Sequence, residues 1–181
     1  MRLLVVSDIH GSKSSAAAAE PLFRRHACDS ILCLGDVLYH GPRNDLPEDY
    51  APKEVIALLN PLKDHILGVR GNCDAEVDQM VLEFDVHSDF RRIALEKRTV
   101  FMTHGHLETA PLFSPIPGSA ILSGHTHIPT AEKRNGIYYL NPGSMTIPKD
   151  GHPRSYAILE EEGFTVYRLE DDSAFMEILF D

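Results

Sequence analysis

Five short apolar runs, each stopped by a glycine or a polar residue, constrain the architecture most. Residues 2–7, 30–34, 65–70, 100–103 and 120–123 are rich in leucine or β-branched residues and too brief for helices, so they read as buried strands. Between the first three lie 14–27 and 52–60, of helical composition. The opening is therefore β-α-β-α-β, which predicts a mostly parallel sheet and an α/β class. Pro21 is expected to kink or divide the first helix. After residue 120 the texture changes: Asn135-Gly136 sits between two short alternating segments, as in a type I′ hairpin, and 164–169 continues that antiparallel pattern. Proline and glycine concentrate at 40–52 and 111–118, loops expected to rim a pocket. There is no internal repeat, and the length suits a single domain over 1–181.

The ends of those runs carry the chemistry. Val5-Val6-Ser7 leads into Asp8-Ile9-His10, Leu34-Gly35 into Asp36, Arg70-Gly71 into Asn72, Met102-Thr103 into His104, and Ser123-Gly124 into His125-Thr126-His127. Loops beyond the carboxyl ends of strands form the ligand crevice of an open α/β sheet, so these residues would converge there. Three carboxylate or amide oxygens and four imidazoles suit two divalent cations, with manganese, iron or zinc matching the mixed oxygen and nitrogen donors. One cation would leave ligands over. A lone Asp or His after a strand is usually a turn former; seven at five strand ends argue against coincidence. Of the ten histidines, His26, His40, His65, His87 and His152 lack this placement and read as ordinary surface or loop residues.

Charge and cysteine usage narrow the partners. A net charge of -10 with a pI near 5.4 disfavours a long nucleic-acid backbone and fits a small anionic substrate drawn in by cations. Cys28, Cys33 and Cys73 are odd in number and lack CxxC spacing, so no disulfide framework is expected. No apolar run approaches the roughly 20 residues of a membrane span, and the first is too brief for a signal peptide. The expected compartment is cytoplasmic, with no membrane partner. A homo-oligomer stays open, the loop around Pro47 and Tyr50 being a candidate contact.

Taken in order, Asp8-Ile9-His10, Gly35-Asp36, Gly71-Asn72-Cys73-Asp74, His104 and Gly124-His125-Thr126-His127, followed by Asn141-Pro142-Gly143-Ser144, resemble the signature of the calcineurin-like metallophosphoesterases. The stretch from Asp36 to Asn44, with Arg70 to Asp74, is similar to the YfcE-type group of bacterial phosphodiesterases. The resemblance implies a four-layer α-β-β-α sandwich, two mixed sheets flanked by helices. It implies Asp8, His10, Asp36 and His127 on one metal, Asp36, Asn72, His104 and His125 on the other, and Asp36 as the bridge. Activity would be hydrolysis of a small phosphodiester by in-line attack of a metal-bridging hydroxide, with two divalent ions, Mn2+ or alternatively Zn2+ or Fe2+. Asp36, Asn72, Cys73 and His104 would be the catalytic set.

The chain departs from the family at Cys73, where most members have His to protonate or stabilise the departing alkoxide. A thiol is a weaker donor with shorter reach, so a preference for good leaving groups, and for diesters over alkyl monoesters, is expected. The alternative is that Cys73 only packs. Arg43 and Asn44 are candidate substrate contacts, Arg being suited to bidentate phosphate binding, or else they fix a proline-rich turn. His106 either backs the ligands or faces solvent. Two further readings of the fold stay open: a non-catalytic metal-binding scaffold, similar to the retromer scaffold subunit, and a phosphomonoesterase or nuclease of the same superfamily. The filled ligand set argues against the first, the acidic balance against a nuclease.

Overall fold

Alternation along the strands assigns each face its partner. Leu3 and Val5 point one way from the first strand and Leu4 and Val6 the other, and all four are buried, so this strand must be covered on both sides. The computed structural model describes residues 1–108 and 114–181. In chain order its elements are β1 (Arg2–Val6), α1 (Lys13–Arg25), β2 (Ser30–Cys33), α2 (Pro52–Leu59), β3 (Ile66–Gly68), β4 (Phe90–Ala94), β5 (Thr99–Thr103), β6 (Ala120–Leu122), β7 (Thr130–Arg134), β8 (Ile137–Asn141), β9 (Ser155–Glu160), β10 (Gly163–Arg168) and β11 (Ala174–Leu179). Short 3-10 helices lie at Asn60–His65 and Glu76–Met80.

The strands form two mixed sheets, ordered β11-β10-β9-β1-β2-β3 and β4-β5-β6-β8-β7. In the first, β1, β2 and β3 run parallel, as the β-α-β-α-β opening requires, and β9 to β11 add antiparallel strands. In the second, β5, β6 and β8 are parallel, with antiparallel β4 and β7 at the edges. Leu3, Val5, Leu32 and Leu34 meet Val100, Met102, Leu122 and Leu140 between the sheets. Leu4, Val6, Ile31 and Cys33 face outward onto Ala16, Ala19 and Leu22 of α1 and Val55 and Leu59 of α2. Both described α-helices thus lie on the outer face of the first sheet.

Three sequence expectations resolve instructively. Asn135 and Gly136 both have positive φ (50° and 80°) and join β7 to β8 with two residues, the type I′ hairpin. The 164–169 run forms β10, but it joins the first sheet beside β9, because its inward Phe164 and Val166 complete the core between the sheets. Pro21 does not divide α1: it lies on the exposed side, where the Ala17 carbonyl it leaves without a helical partner faces water, while Ser12 caps the helix by accepting from Ser15 N–H at 3.3 Å. Of the 111–118 loop, 111–113 lie outside the described residues; Ile116, Pro117 and Gly118 line a cleft with residues 94–99, away from the centre described next.

Candidate metal centre

The turns beyond β1, β2, β3, β5 and β6 converge at one rim, and their side chains meet there. Asp8 Oδ1 lies 3.2 Å from His127 Nε2 and 3.6 Å from His10 Nε2, and those two ring nitrogens are 3.4 Å apart. Asp36 Oδ2 lies 3.7 Å from His10 Nε2 on one side and 3.4 Å from His104 Nε2 on the other. His104 Nε2 is 3.2 Å from Asn72 Oδ1. His125 is half-buried, its ring centroid 5.1 Å from that of His104, and its backbone N–H donates to Asp8 Oδ2 at 3.2 Å. All seven candidates therefore share one pocket wall or the layer directly beneath it. Asp36 stands between the two groups.

The chain holds these groups in place from behind. His10 Nδ1 is 2.8 Å from the Tyr39 carbonyl, His104 Nδ1 2.6 Å from the Leu34 carbonyl, and His127 Nδ1 2.5 Å from the Ile147 carbonyl. A carbonyl only accepts, so each ring donates through Nδ1 and, when neutral, turns the Nε2 lone pair inward. Asp8, His10, Asp36, His125 and His127 all have positive φ, between 49° and 67°. Backbone of this kind costs roughly 1–2 kcal/mol per non-glycine residue, and such strain gathers at functional sites. At Gly71 a Cβ would lie 2.0 Å from Asp36 Oδ1, so only glycine lets that loop approach the Asp36 carboxylate.

Two features test whether cations fit. Asp8 Oδ1 is buried and has no hydrogen-bond donor, although Nε2 atoms of two histidines approach it. Lone pairs on a carboxylate and on imidazoles pointing at one another repel unless positive charge lies among them. Protons supply it when nothing else does. Burial disfavours charge on His104, but its bond to Asp36 and the charges of Asp8 and Asp36 outweigh that and raise its pKa to about 9. His10 is likewise buried and likewise raised, by the Asp8 carboxylate beside it. The carboxyls of Asp8 and Asp36 fall below the usual range, against burial, because these same rings, when protonated, stand beside them. Groups of Asp8, His10 and His127, and of Asp8, Asp36 and His104, each bring their donor atoms close enough to hold one ion. The donor set fits divalent metal.

The other sequence candidates fall as follows. Arg43, Asn44 and Cys73 line the pocket, which measures about 400 Å³. Arg43 is exposed; Asn44 Nδ2 donates to the His40 carbonyl at 2.7 Å, so its amide also fixes the loop. Cys73 is half-buried, its N–H donates to Asp36 Oδ1 at 2.8 Å and its Sγ accepts from Asn72 Nδ2 at 3.2 Å. Burial, with the Asp36 charge, pushes its thiol pKa up to about 12. His106 stacks edge-on 5.4 Å from His104, with a buried Nδ1 that has no hydrogen-bond partner. Tyr50 is half-buried, and its backbone forms an isolated bridge with residue 12.

Sequence reasoning missed Asp74, Lys149 and the real setting of His40. The Asp74 carboxylate accepts from Asp36, Val37 and Gly71 N–H at 2.8, 2.8 and 2.7 Å, tying the β2 and β3 loops together. Its place in the Gly71-Asn72-Cys73-Asp74 block was the available signal. Lys149 enters the pocket from the loop after β8 and has no motif to mark it. His40 is half-buried between Tyr39 and Tyr50, at centroid distances of 4.7 and 5.3 Å.

A two-sheet sandwich whose strand ends gather carboxylates, an amide and imidazoles into a metal-binding rim is the scaffold of a metal-dependent hydrolase. The profile of the calcineurin-like phosphoesterase superfamily domain matches residues 1–163, and the chain belongs to that superfamily. It is 43% identical over 181 residues to phosphodiesterase YfcE of Escherichia coli (strain K12), covering 98% of this chain and 97% of that protein. The solved structure of the E. coli phosphoesterase superposes with a TM-score of 0.96 at 42% identity, over all of both chains. Wild-type Vps29 of Entamoeba histolytica, solved with Zn2+, shares the fold at a TM-score of 0.64 and 23% identity, covering both chains fully.

Proposed function

We propose that the chain is a phosphodiesterase that holds two divalent cations, manganese in the first instance, and hydrolyses a small phosphodiester. The observation that carries this reading is the orphaned Asp8 Oδ1 facing two histidine Nε2 atoms, with Asp36 Oδ2 between His10 and His104. Asp8, His10, Asp36 and His127 would hold one ion, and Asp36, Asn72, His104 and His125 the other. Two such ions lower the pKa of a shared water and clamp the phosphoryl oxygens of an in-line displacement. The protein's own part is to hold that geometry: backbone carbonyls fix the rings, Asp74 fixes the Asp36 turn, and Arg43 and Lys149 bring positive charge to an otherwise acidic chain.

The Cys73 thiol, with a pKa near 12, stays protonated at neutral pH and is a weak acid toward a departing alkoxide. This supports substrates with good leaving groups and diesters over alkyl monoesters. Replacing Cys73 by His and comparing diester with monoester turnover tests that role; an unchanged ratio removes it. The acidic surface supports a small substrate over a long nucleic acid. Among the described residues no helix is long and apolar enough to cross a membrane. Three free cysteines suit a reducing, cytoplasmic setting. The decisive measurement is turnover of mono-, di- and cyclic phosphate esters after metal reconstitution, with Asp36→Asn and His104→Ala as controls. Equal activity in wild type and both variants would remove the centre from the reaction.

A further inference from the structure

A second cleft opens on the far side of Cys73 from the metal centre. Leu38, Tyr39, Tyr50, Pro52, Ala75 and Val77 line it, and Cys73 lines both this cleft and the metal pocket. The two sides differ in chemistry. Arg43, Lys149 and the candidate ligands face the metal side, whereas the cleft is lined mainly by apolar groups and by the rings of Tyr39 and Tyr50. Its one charged lining residue, Asp78, already accepts from Ala75 N–H at 2.8 Å. Tyr39 and Val77 are left 41% and 60% exposed, and the apolar surface continues along the same turn to Met80. A contiguous apolar patch beside a polar site marks a place where something lands.

The cleft is also fixed to the metal loops. The Tyr39 carbonyl receives the Nδ1–H of His10, so one residue orients a ligand ring and forms a wall of the cleft. Gly11 has φ +74°, and a Cβ there would lie 2.3 Å from Tyr50 Cε2; glycine directly after His10 is what admits the tyrosine ring. Ala51 N–H donates to the Gly11 carbonyl at 2.8 Å and holds the arrangement shut. The volume is about 330 Å³, whereas a sealed cavity of about 150 Å³ already accepts benzene. A six-membered ring fits.

We infer that this cleft is the subsite for an apolar, ring-bearing alcohol of the phosphodiester. The phosphoryl group sits on the metal side, the ester passes over the short Cys73 side chain, and the ring lies among Tyr39, Tyr50 and Val77. Continuity through Cys73 selects this occupant, because a group in the cleft is one side chain away from Asp36. The inference rests on the phosphodiesterase reading and names its substrate class.

Calorimetric titration of the manganese-loaded protein with methylphosphonate and benzylphosphonate tests it without requiring turnover. Wild type is expected to bind the benzyl compound about tenfold more tightly, and Val77→Asp or Ala75→Trp to bring the two within about twofold. Both positions are exposed, so melting curves should stay close to wild type, and if one variant unfolds the other decides. Equal affinities in wild type, or a preference that survives both substitutions, would overturn the inference. So would sedimentation showing that Val77→Asp splits an oligomer while the preference persists, since the face would then belong to a second copy. No binding of either phosphonate would take down the hydrolase reading and the subsite together. A tenfold preference without diester turnover would count against the hydrolase reading alone.

Discussion

Among the described residues, one His–Asp pair at the rim and one at the end of α1 have nearly equal lengths and opposite circumstances. At the metal rim His127 Nε2 lies 3.2 Å from Asp8 Oδ1; where α1 ends, His26 Nε2 lies 3.1 Å from Asp172 Oδ1. The first pair is 4% and 0% exposed, the second 17% and 26%. Asp172 also accepts from Tyr156 O–H and from Arg25, so every charge there is met by the chain itself. Asp8 Oδ1 has no donor. Residue types alone would not separate the two. What does is a buried convergence of lone pairs that the chain leaves unsatisfied, and this turns a polar cluster into a place for a cation.

The sharpest way to break this contrast is to remove the carboxylate of Asp36, which stands between His10 and His104. Asp36→Asn leaves the fold's core intact but takes charge from both ligand groups, and turnover is expected to fall by roughly 10³-fold, comparable with the loss of a key charge-stabilising group. Metal analysis of the purified variant should show lost metal. A variant with wild-type metal content and rate would place the centre elsewhere. Next in size is Asp74→Asn. Its amide nitrogen would replace one of the two oxygens that accept from these three backbone N–H groups, turning a donor toward at least one of them and loosening the Asp36 turn, so metal affinity should drop about 10- to 100-fold in a competition titration.

Acidity separates apo from loaded protein. Without metal, His104 has its pKa raised to about 9 by Asp36 and Asp8 against burial, and His10 is raised as well. A histidine whose folded pKa exceeds its unfolded value of about 6.5 stabilises fully below that value and loses the contribution as pH climbs through the folded pKa. Asp8 and Asp36, both lowered, are ionised throughout this window and add no slope. Apoprotein stability should therefore decline between pH 6.5 and 9, by roughly 3 kcal/mol for His104, or about 6 to 12 °C in Tm. Metal displaces those protons, so the loaded protein should hold its Tm over the same range. Parallel melting curves, apo and loaded, check it; coincident slopes would mean that protons and metal do not compete.

How much of this was legible in the sequence follows the same division. The strands, their parallel opening and the meeting of Asp8, His10, Asp36, Asn72, His104, His125 and His127 at one rim were readable because apolar runs and their stops are local, and because strand ends must share one edge. The 164–169 run was correctly read as antiparallel strand, but periodicity cannot say which of two sheets it joins; Phe164 and Val166 decide that through the shared core. Pro21 misled because the rule against helix proline omits which side of the helix it occupies. Lys149, His40 and the cleft beyond Cys73 were illegible, since they depend on where loops of no fixed pattern come to rest. Asp74 lay in the motif but was passed over. A carboxylate that binds only backbone looks, in one dimension, like any other.

The smallest effect belongs to the satisfied pair, and it completes the contrast. His26→Ala removes a ring that contacts Tyr156 O–H at 2.8 Å and Asp172 at 3.1 Å, and packs against Tyr156 and Tyr167 at centroid distances of 5.7 and 5.2 Å. The site is half open to water, and Arg25 still holds Asp172, so water can replace much of what is lost. The expected destabilisation is about 1 kcal/mol, a Tm lower by about 2 to 4 °C, with metal content and turnover unchanged. Differential melting and metal analysis of the same preparation measure both. A loss of metal in His26→Ala would mean that the far end of α1 is coupled to the rim through Ser15, whose Oγ donates to the Met145 carbonyl, and that the two pairs are not independent.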